Sequence, residues 1–267
     1  MKKILYTLPL LALMLTPVVT QAAYTTNFEG AVTNGGIANF ADQDGWTIND
    51  GTIDLSFIQT GSAYTVGSGQ SIGLGGFYSA PANTSVSLSR PISQNLSISA
   101  FSVDFAIINS YAPNVTNSFF EADDTFGFSF SDAGGEILTV DFAPTSLVEN
   151  NIRKLTVLGV DVPVNGIVAT DYNSPGWYTL GMTFAANGAD LDYFGTLANG
   201  SVTFNGTLAG KANTIATKLS VNFDVADVDP DNAGSNYILV DNISIPEPTS
   251  LMSVLLAVGL LGARRRR

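Results

Sequence analysis

Through the body of this 267-residue chain, apolar residues recur at every second position and hardly ever at every third or fourth. Phe126, Phe128 and Phe130 alternate with small or polar neighbours. Leu138, Val140 and Phe142 follow, after a turn at Ala133-Gly134-Gly135. The same period runs through Ser85–Ser89, through Phe101, Val103, Phe105 and Ile107, and through Tyr178, Leu180, Met182 and Phe184. It returns at Leu219, Val221, Phe223 and Val225. It closes at Tyr237, Leu239, Asp241, Ile243 and Ile245, with Ile238 and Val240 on the opposite side. Successive side chains of an extended chain point to opposite faces, so a period of two buries one face and wets the other. These segments are therefore predicted to be half-buried antiparallel strands. Glycine, Asn, Asp and Ser fall mostly between them, where turns need those residues. Outside the two ends, no segment carries a helical apolar stripe.

Many short strands in one unit, with no linker to divide it, predict an all-β fold: an antiparallel β-sandwich of jelly-roll type spanning residues 23–245. A closed barrel is the alternative. An outer-membrane barrel is disfavoured, because the aromatic girdle pattern is weak and the C-terminal segment makes no sense on one. The chain has no cysteine, so its core alone must hold the sandwich together. Cysteine is also missing as a nucleophile and as a zinc ligand. The lack of histidine excludes Ser-His-Asp catalysis and His-bound metals.

Charge is divided unevenly along the chain. Of eleven basic residues, six lie at the ends: Lys2, Lys3 and Arg264 to Arg267. The body keeps five, against twenty-two carboxylates, a net charge near −17. Such a surface repels phosphates, which argues against nucleic acid and anionic lipid as partners.

Both ends read as addresses. Lys2 and Lys3 precede the apolar run Ile4–Val19, and Thr20-Gln21-Ala22 offers small residues where signal peptidase cuts. Residues 1–22 are thus expected to be a signal peptide with a helical apolar segment. At the other end stand Pro246, Glu247 and Pro248, then Leu251–Ala263 without a charge, then Arg264, Arg265, Arg266 and Arg267. As a helix, that apolar run spans roughly 20 Å, short of the ~30 Å hydrocarbon core. It suits a temporary hold in the membrane better than a permanent span. The arginines should remain cytoplasmic as a charge anchor. The two prolines keep the box extended and accessible.

This order of box, apolar helix and arginine cluster over residues 246–267 resembles the PEP-CTERM family of exported bacterial proteins. The resemblance implies a Gram-negative source and an exosortase-type membrane transpeptidase that recognises Pro246, Glu247 and Pro248. A second resemblance lies in the body. Asp123-Asp124-Thr-Phe-Gly-Phe-Ser-Phe130 and Gly134-Gly135-Glu-Ile-Leu-Thr-Val-Asp-Phe142 look like the central strands of concanavalin A-like lectin and glucanase sandwiches. Trp177–Phe184 with Leu191–Phe194 is similar to their later hairpin, and Leu239–Ile245 to their last strand. In that family an acidic residue near Asp123 or Asp124 binds sugar, and Asp141 would stand among the calcium ligands. The sugar-site asparagine and the full calcium loop are not identifiable, so a loop flanking a core strand remains the favoured reading.

Three further constellations carry candidate chemistry. Asp227, Asp229 and Asp231 alternate in an acidic loop, and calcium is the cation that such oxygen ligands would take. Asn232 and Ile238 depart from the EF-hand pattern, and a solvated loop shaped by Pro230 and Gly234 is the alternative. Of the two tryptophans, Trp46 follows the turn Asp44-Gly45 and is the expected surface platform for a sugar ring, while Trp177 is expected in the core. The body's four glutamates, Glu29, Glu121, Glu136 and Glu149, do not form the paired arrangement of a glucanase, so a glycoside hydrolase is a weak alternative.

The chain therefore reads as a non-enzymatic exported protein. It would be held transiently at the inner membrane and processed by exosortase. It would then reside at the cell surface or outside the cell, in a structural or adhesive role linked to exopolysaccharide and biofilm. The alternative is a calcium-assisted carbohydrate-binding lectin-like module.

Overall fold

Every alternating segment named above is a strand in the structure, a computed structural model. It describes residues 24–28, 43–48, 56–60, 70–75, 84–110, 125–144, 151–168, 170–171, 177–197, 202–225 and 235–245. The two expected flanking helices, the box Pro246–Pro248, the arginines 264–267, and Asp123, Asp124, Asp227, Asp229 and Asp231 all lie outside those residues. Among the described residues no helix is long and apolar enough to cross a membrane.

The strands are β1 (Tyr24–Thr26), β2 (Thr47–Ile48), β3 (Ser56–Thr60), β4 (Gln70–Gly75), β5 (Thr84–Asn95), β6 (Ala100–Ser110), β7 (Thr125–Asp132) and β8 (Gly135–Pro144). There follow β9 (Asn151–Val157), β10 (Val160–Val168), β11 (Thr170–Asp171), β12 (Tyr178–Asn187), β13 (Asp190–Leu197), β14 (Val202–Leu208), β15 (Ile215–Val225) and β16 (Ser235–Ile245). One sheet has nine strands in the order β14-β13-β12-β6-β16-β4-β3, with β1 also beside β16 and β11 beside β6. The other has seven, in the order β10-β9-β8-β7-β15-β5-β2. All pairs are antiparallel except the two-residue contact of β11 with β6. The fold is thus an all-β antiparallel sandwich, as the alternation predicts.

Aromatic rings join the two sheets. Phe101 of β6 meets Phe130 of β7 edge-on, centroids 5.2 Å apart and planes at 87°. Phe105 of β6 lies 4.7 Å from Phe142 of β8 and 5.7 Å from Phe128 of β7. Within the seven-stranded sheet, Phe126 stacks on Phe223 of β15 at 4.6 Å. Edge and offset contacts of this kind add to the burial of each ring. The β7–β8 hairpin that presents four of these rings turns at Gly134, whose N–H donates to Asp132 Oδ1 (2.6 Å). Gly135 closes the turn with φ +122°, a backbone angle that other residues rarely adopt.

Strand β16 departs from the expected pattern. The sequence places Tyr237, Leu239, Asp241, Ile243 and Ile245 on one face. In the structure a bulge between Asp241 and Ser244 shifts the phase, with Asn242 at φ +46°. Ile238 and Val240 point into the main core, and so do Ile243 and Ile245 beyond the bulge. Tyr237 and Leu239 pack on the other side in a small cluster with Ala106 and Trp177. Two bonds hold the bulge: the Asn242 backbone N–H to Asp241 Oδ1 (2.7 Å) and Asn242 Nδ2 to Asp104 Oδ2 (2.9 Å).

At the other terminus β1 pairs with the end of β16, with Tyr24 opposite Ile245. The Tyr24 hydroxyl donates to Asp44 Oδ2 (2.9 Å) and accepts from Trp46 Nε1 (2.9 Å). Arg90 lies over the Tyr24 ring at 4.0 Å and 3.3 Å from Asp44. Burial, opposed in part by the Trp46 hydrogen bond and the Arg90 charge, pushes the Tyr24 phenol up to about 12.

Candidate functional site: a hydroxyl-lined cleft

The apolar half of each alternating strand fills the core, so the other half must form a surface. On the seven-stranded sheet that surface is polar and ordered in rows. Across one row run Ser87, Asn222, Gly127, Asp141 and Thr156, paired strand to strand. The next contains Ser89, Ser220, Ser129 and Thr139. Beyond lie Ser85, Asp224 and Thr125 on one side, and Lys218, Ser131 and Glu136 on the other. Ser87, Asn222 and Asp141 of the first row, Ser220, Ser129 and Thr139 of the second, and their neighbours Ser85, Asp224, Lys218, Ser131 and Glu136 line an open cleft of about 410 Å³.

Short side chains make its floor. Ser129, Ser131 and Ser220 line it and are almost wholly shielded, and Ser89 is buried beside Ser220. Ser89 and Ser220 share a hydrogen bond of 3.1 Å between their hydroxyls, and Asn222 Nδ2 donates to Ser129 Oγ (3.1 Å). On the rim, Thr125 Oγ1 donates to Asp224 Oδ2 (3.2 Å) and Thr139 Oγ1 donates to Glu136 Oε2 (3.1 Å). A hydroxyl both donates and accepts, so such a floor matches a polyol without selecting for charge.

Asp141 is the chemically unusual member. It sits opposite Gly127, where a Cβ would fall 2.5 Å from the Val140 carbonyl oxygen and onto the Asp141 carboxylate. Only glycine leaves that space. Burial pushes the Asp141 carboxyl up to about 7, and the charges of Asp224 and Glu136 add to the rise. Near neutrality Asp141 is therefore part-protonated, able to donate as well as accept a hydrogen bond.

The sequence candidates divide sharply against this geometry. Trp46, expected as a surface platform, is fully buried. Its ring packs between Tyr24 and Phe28, at 6.4 and 6.3 Å, and its N–H is taken by Tyr24. Trp46 is a core residue that seats the first strand and cannot stack on a sugar. Trp177 is half-buried and packs on the small outer cluster. Asp141 stands on the cleft. Asp123, Asp124, Asp227, Asp229 and Asp231 fall outside the described residues, and among the described ones no group of three or more acidic side chains could hold a metal ion. Ser129, Ser220, Asn222 and Asp224 were not anticipated. Their signal was present as the polar half of the same alternation, Ser129-x-Ser131 and Ser220-x-Asn222-x-Asp224.

The chain carries a PEP-CTERM protein-sorting motif over residues 244–267. The motif begins inside β16 and runs through the arginine cluster. It indicates an exported protein sorted by way of the membrane, and implies exosortase processing. Among solved structures the chain is similar to peanut lectin with a 9mer peptide, at 13% identity over 84% of this chain and 96% of that one, TM-score 0.46. It is also similar to a Lotus tetragonolobus seed lectin, at 11% identity over 84% and 97%, TM-score 0.47. A third is the Emp47p carbohydrate recognition domain, at 13% identity over 71% and 88%, TM-score 0.43. No curated protein matches the chain.

Proposed function

We propose that this protein is sorted and processed by an exosortase-type transpeptidase of a Gram-negative envelope, and then serves as a non-enzymatic structural or adhesive component of an extracellular polysaccharide matrix. The observation that carries this reading is the sorting motif joined without a spacer to the last strand of a strongly acidic β-sandwich. In this reading the hydroxyl-lined cleft is the surface that meets the polymer. Its serines, Asn222 and Asp141 offer paired donors and acceptors, while twenty-three carboxylates in the chain hold polyanions away. The test is deletion of residues 246–267, followed by fractionation of the producing cells. The expected result is an unprocessed chain lost from the envelope. Unchanged processing and location would show the reading to be wrong.

A polysaccharide hydrolase is the second reading, and one observation favours it: Asp141, with its raised proton affinity, shares the cleft with Asp224. Incubating the protein with the host exopolysaccharide decides between the two. Release of reducing ends that is lost in Asp141→Asn would favour the hydrolase.

A further inference from the structure

On the nine-stranded sheet, on the side turned away from the core, one phenylalanine stands in the open. Phe194 lies in the middle of β13, an interior strand, and 45% of its surface is exposed. The other exposed large apolar residues among those described are Ile98, Leu158, Val160 and Ile215. Ile98 ends a one-turn 3-10 helix, Leu158 sits in a turn, and Val160 and Ile215 begin strands, places where an isolated apolar side chain is ordinary. Phe194 is the aromatic one, and it occupies a cleft.

The strand register builds that cleft. Phe194 pairs with Thr183 of β12 on one side and with Asn205 of β14 on the other. One rung along the strand, Asp192 lies between Ala185 and Thr207. All these neighbours are shorter than a phenyl ring, so the ring is left exposed in a shallow depression of about 360 Å³. Asp192 is held in place, accepting from Thr207 Oγ1 (2.6 Å) and Asn187 Nδ2 (3.0 Å). Beneath, Tyr193 lies against Gly206, where any Cβ would collide with the phenol ring, so this strand pair is closely packed from the core side.

We propose that Phe194 is the platform of a second glycan-contact site, which takes a neutral pyranose chain. The C–H face of a pyranose stacks on an aromatic ring, while Thr183, Asn205 and Thr207 stand where its hydroxyls would be met. The lining has no cation, and Asp192 with the net charge of −12 repels a polyanion. A protein partner would require a contiguous apolar centre, whereas here Phe194 is the one exposed phenyl ring, since Phe184 is buried, and Thr183, Asp192, Asn205 and Thr207 surround it. This site is on the opposite sheet from the serine cleft. If the reading of the cleft as a polymer contact holds, the domain is bivalent and can join two chains.

Affinity electrophoresis of the full-length protein through gels containing hydroxyethyl cellulose, laminarin or dextran tests the proposal. The wild type should be retarded by at least one of them. Phe194→Ala should lose about tenfold in affinity. Phe194→Trp should retain it, and melting temperatures should match because the ring contributes little to the core. The proposal is overturned if none of the three polymers retards the wild type, or if Phe194→Ala migrates as the wild type does. A parallel Asn222→Ala variant keeps the two sites apart. Loss of retardation in Asn222→Ala alone would support the cleft and refute the Phe194 site, whereas loss in Phe194→Ala alone would do the reverse.

Discussion

Asp141→Asn should make this protein more stable in alkali and leave it unchanged in acid. The substitution keeps the shape of the side chain and removes its charge. In the folded protein, burial and the nearby charges of Asp224 and Glu136 hold the carboxyl near 7, whereas its ordinary value is 3.8. Folding therefore retains a proton that the unfolded chain releases. The stability that this group contributes is complete below 3.8, declines as pH rises, and is gone once pH passes about 7. At about 1.4 kcal/mol for each tenfold change in proton affinity, the upper bound on the loss is about 4 kcal/mol. Solvent reaching the partly exposed carboxyl screens it, and about 2 kcal/mol is the expected figure at alkaline pH. Urea unfolding of wild type and Asp141→Asn across acid, neutral and alkaline buffers reads this directly. The curves should coincide below about pH 3.8, diverge as pH rises towards 7, and stay fully apart above it, with the variant the more stable. A separation that stays constant with pH, or a variant less stable in alkali, would refute the argument that burial of this charge governs the cleft.

Gly127→Ala should destabilise the sandwich by about 1–3 kcal/mol, because the new methyl meets the Val140 carbonyl and displaces Asp141; a denaturation midpoint equal to wild type would show that the strands yield at no cost. Tyr24→Phe should cost about 1–3 kcal/mol, since it strands the buried Trp46 N–H. Calorimetry together with tryptophan fluorescence would show the loss, and unchanged melting would mean that the first strand does not depend on that bond.

The fold was legible wherever a strand has one wet face. Phe126, Phe128 and Phe130 announced β7, and Leu138, Val140 and Phe142 announced β8, because a core on one side leaves an unbroken period of two. Two things broke the reading. Around Asn242 the bulge inserts a residue out of phase, and from sequence alone Ile238 and Ile243 cannot be placed on the same face. At Trp46 the preceding turn suggested exposure, while the side chain is folded inward by a partner 22 residues earlier, a contact that no local pattern encodes. The cleft was half visible. Its serines are written in the alternation, but their convergence depends on the order β8-β7-β15-β5, which places residues 89 and 220 side by side across 131 positions of chain.

The pairing of β1 with the end of β16 also has a mechanical meaning. A load applied to the C-terminal end of β16 along its axis meets a strand flanked by β6 over most of its length and by β1 at its end. Its hydrogen bonds lie across that axis, so the load is shared among them in shear. A pull between Tyr24 and Ile245 would instead open their short ladder one rung at a time. If the proposed sorting leaves the domain held through its C-terminus, the strand that leads into the motif bears the drag in shear, and the weak direction of the joint is the one in which such a tether does not pull.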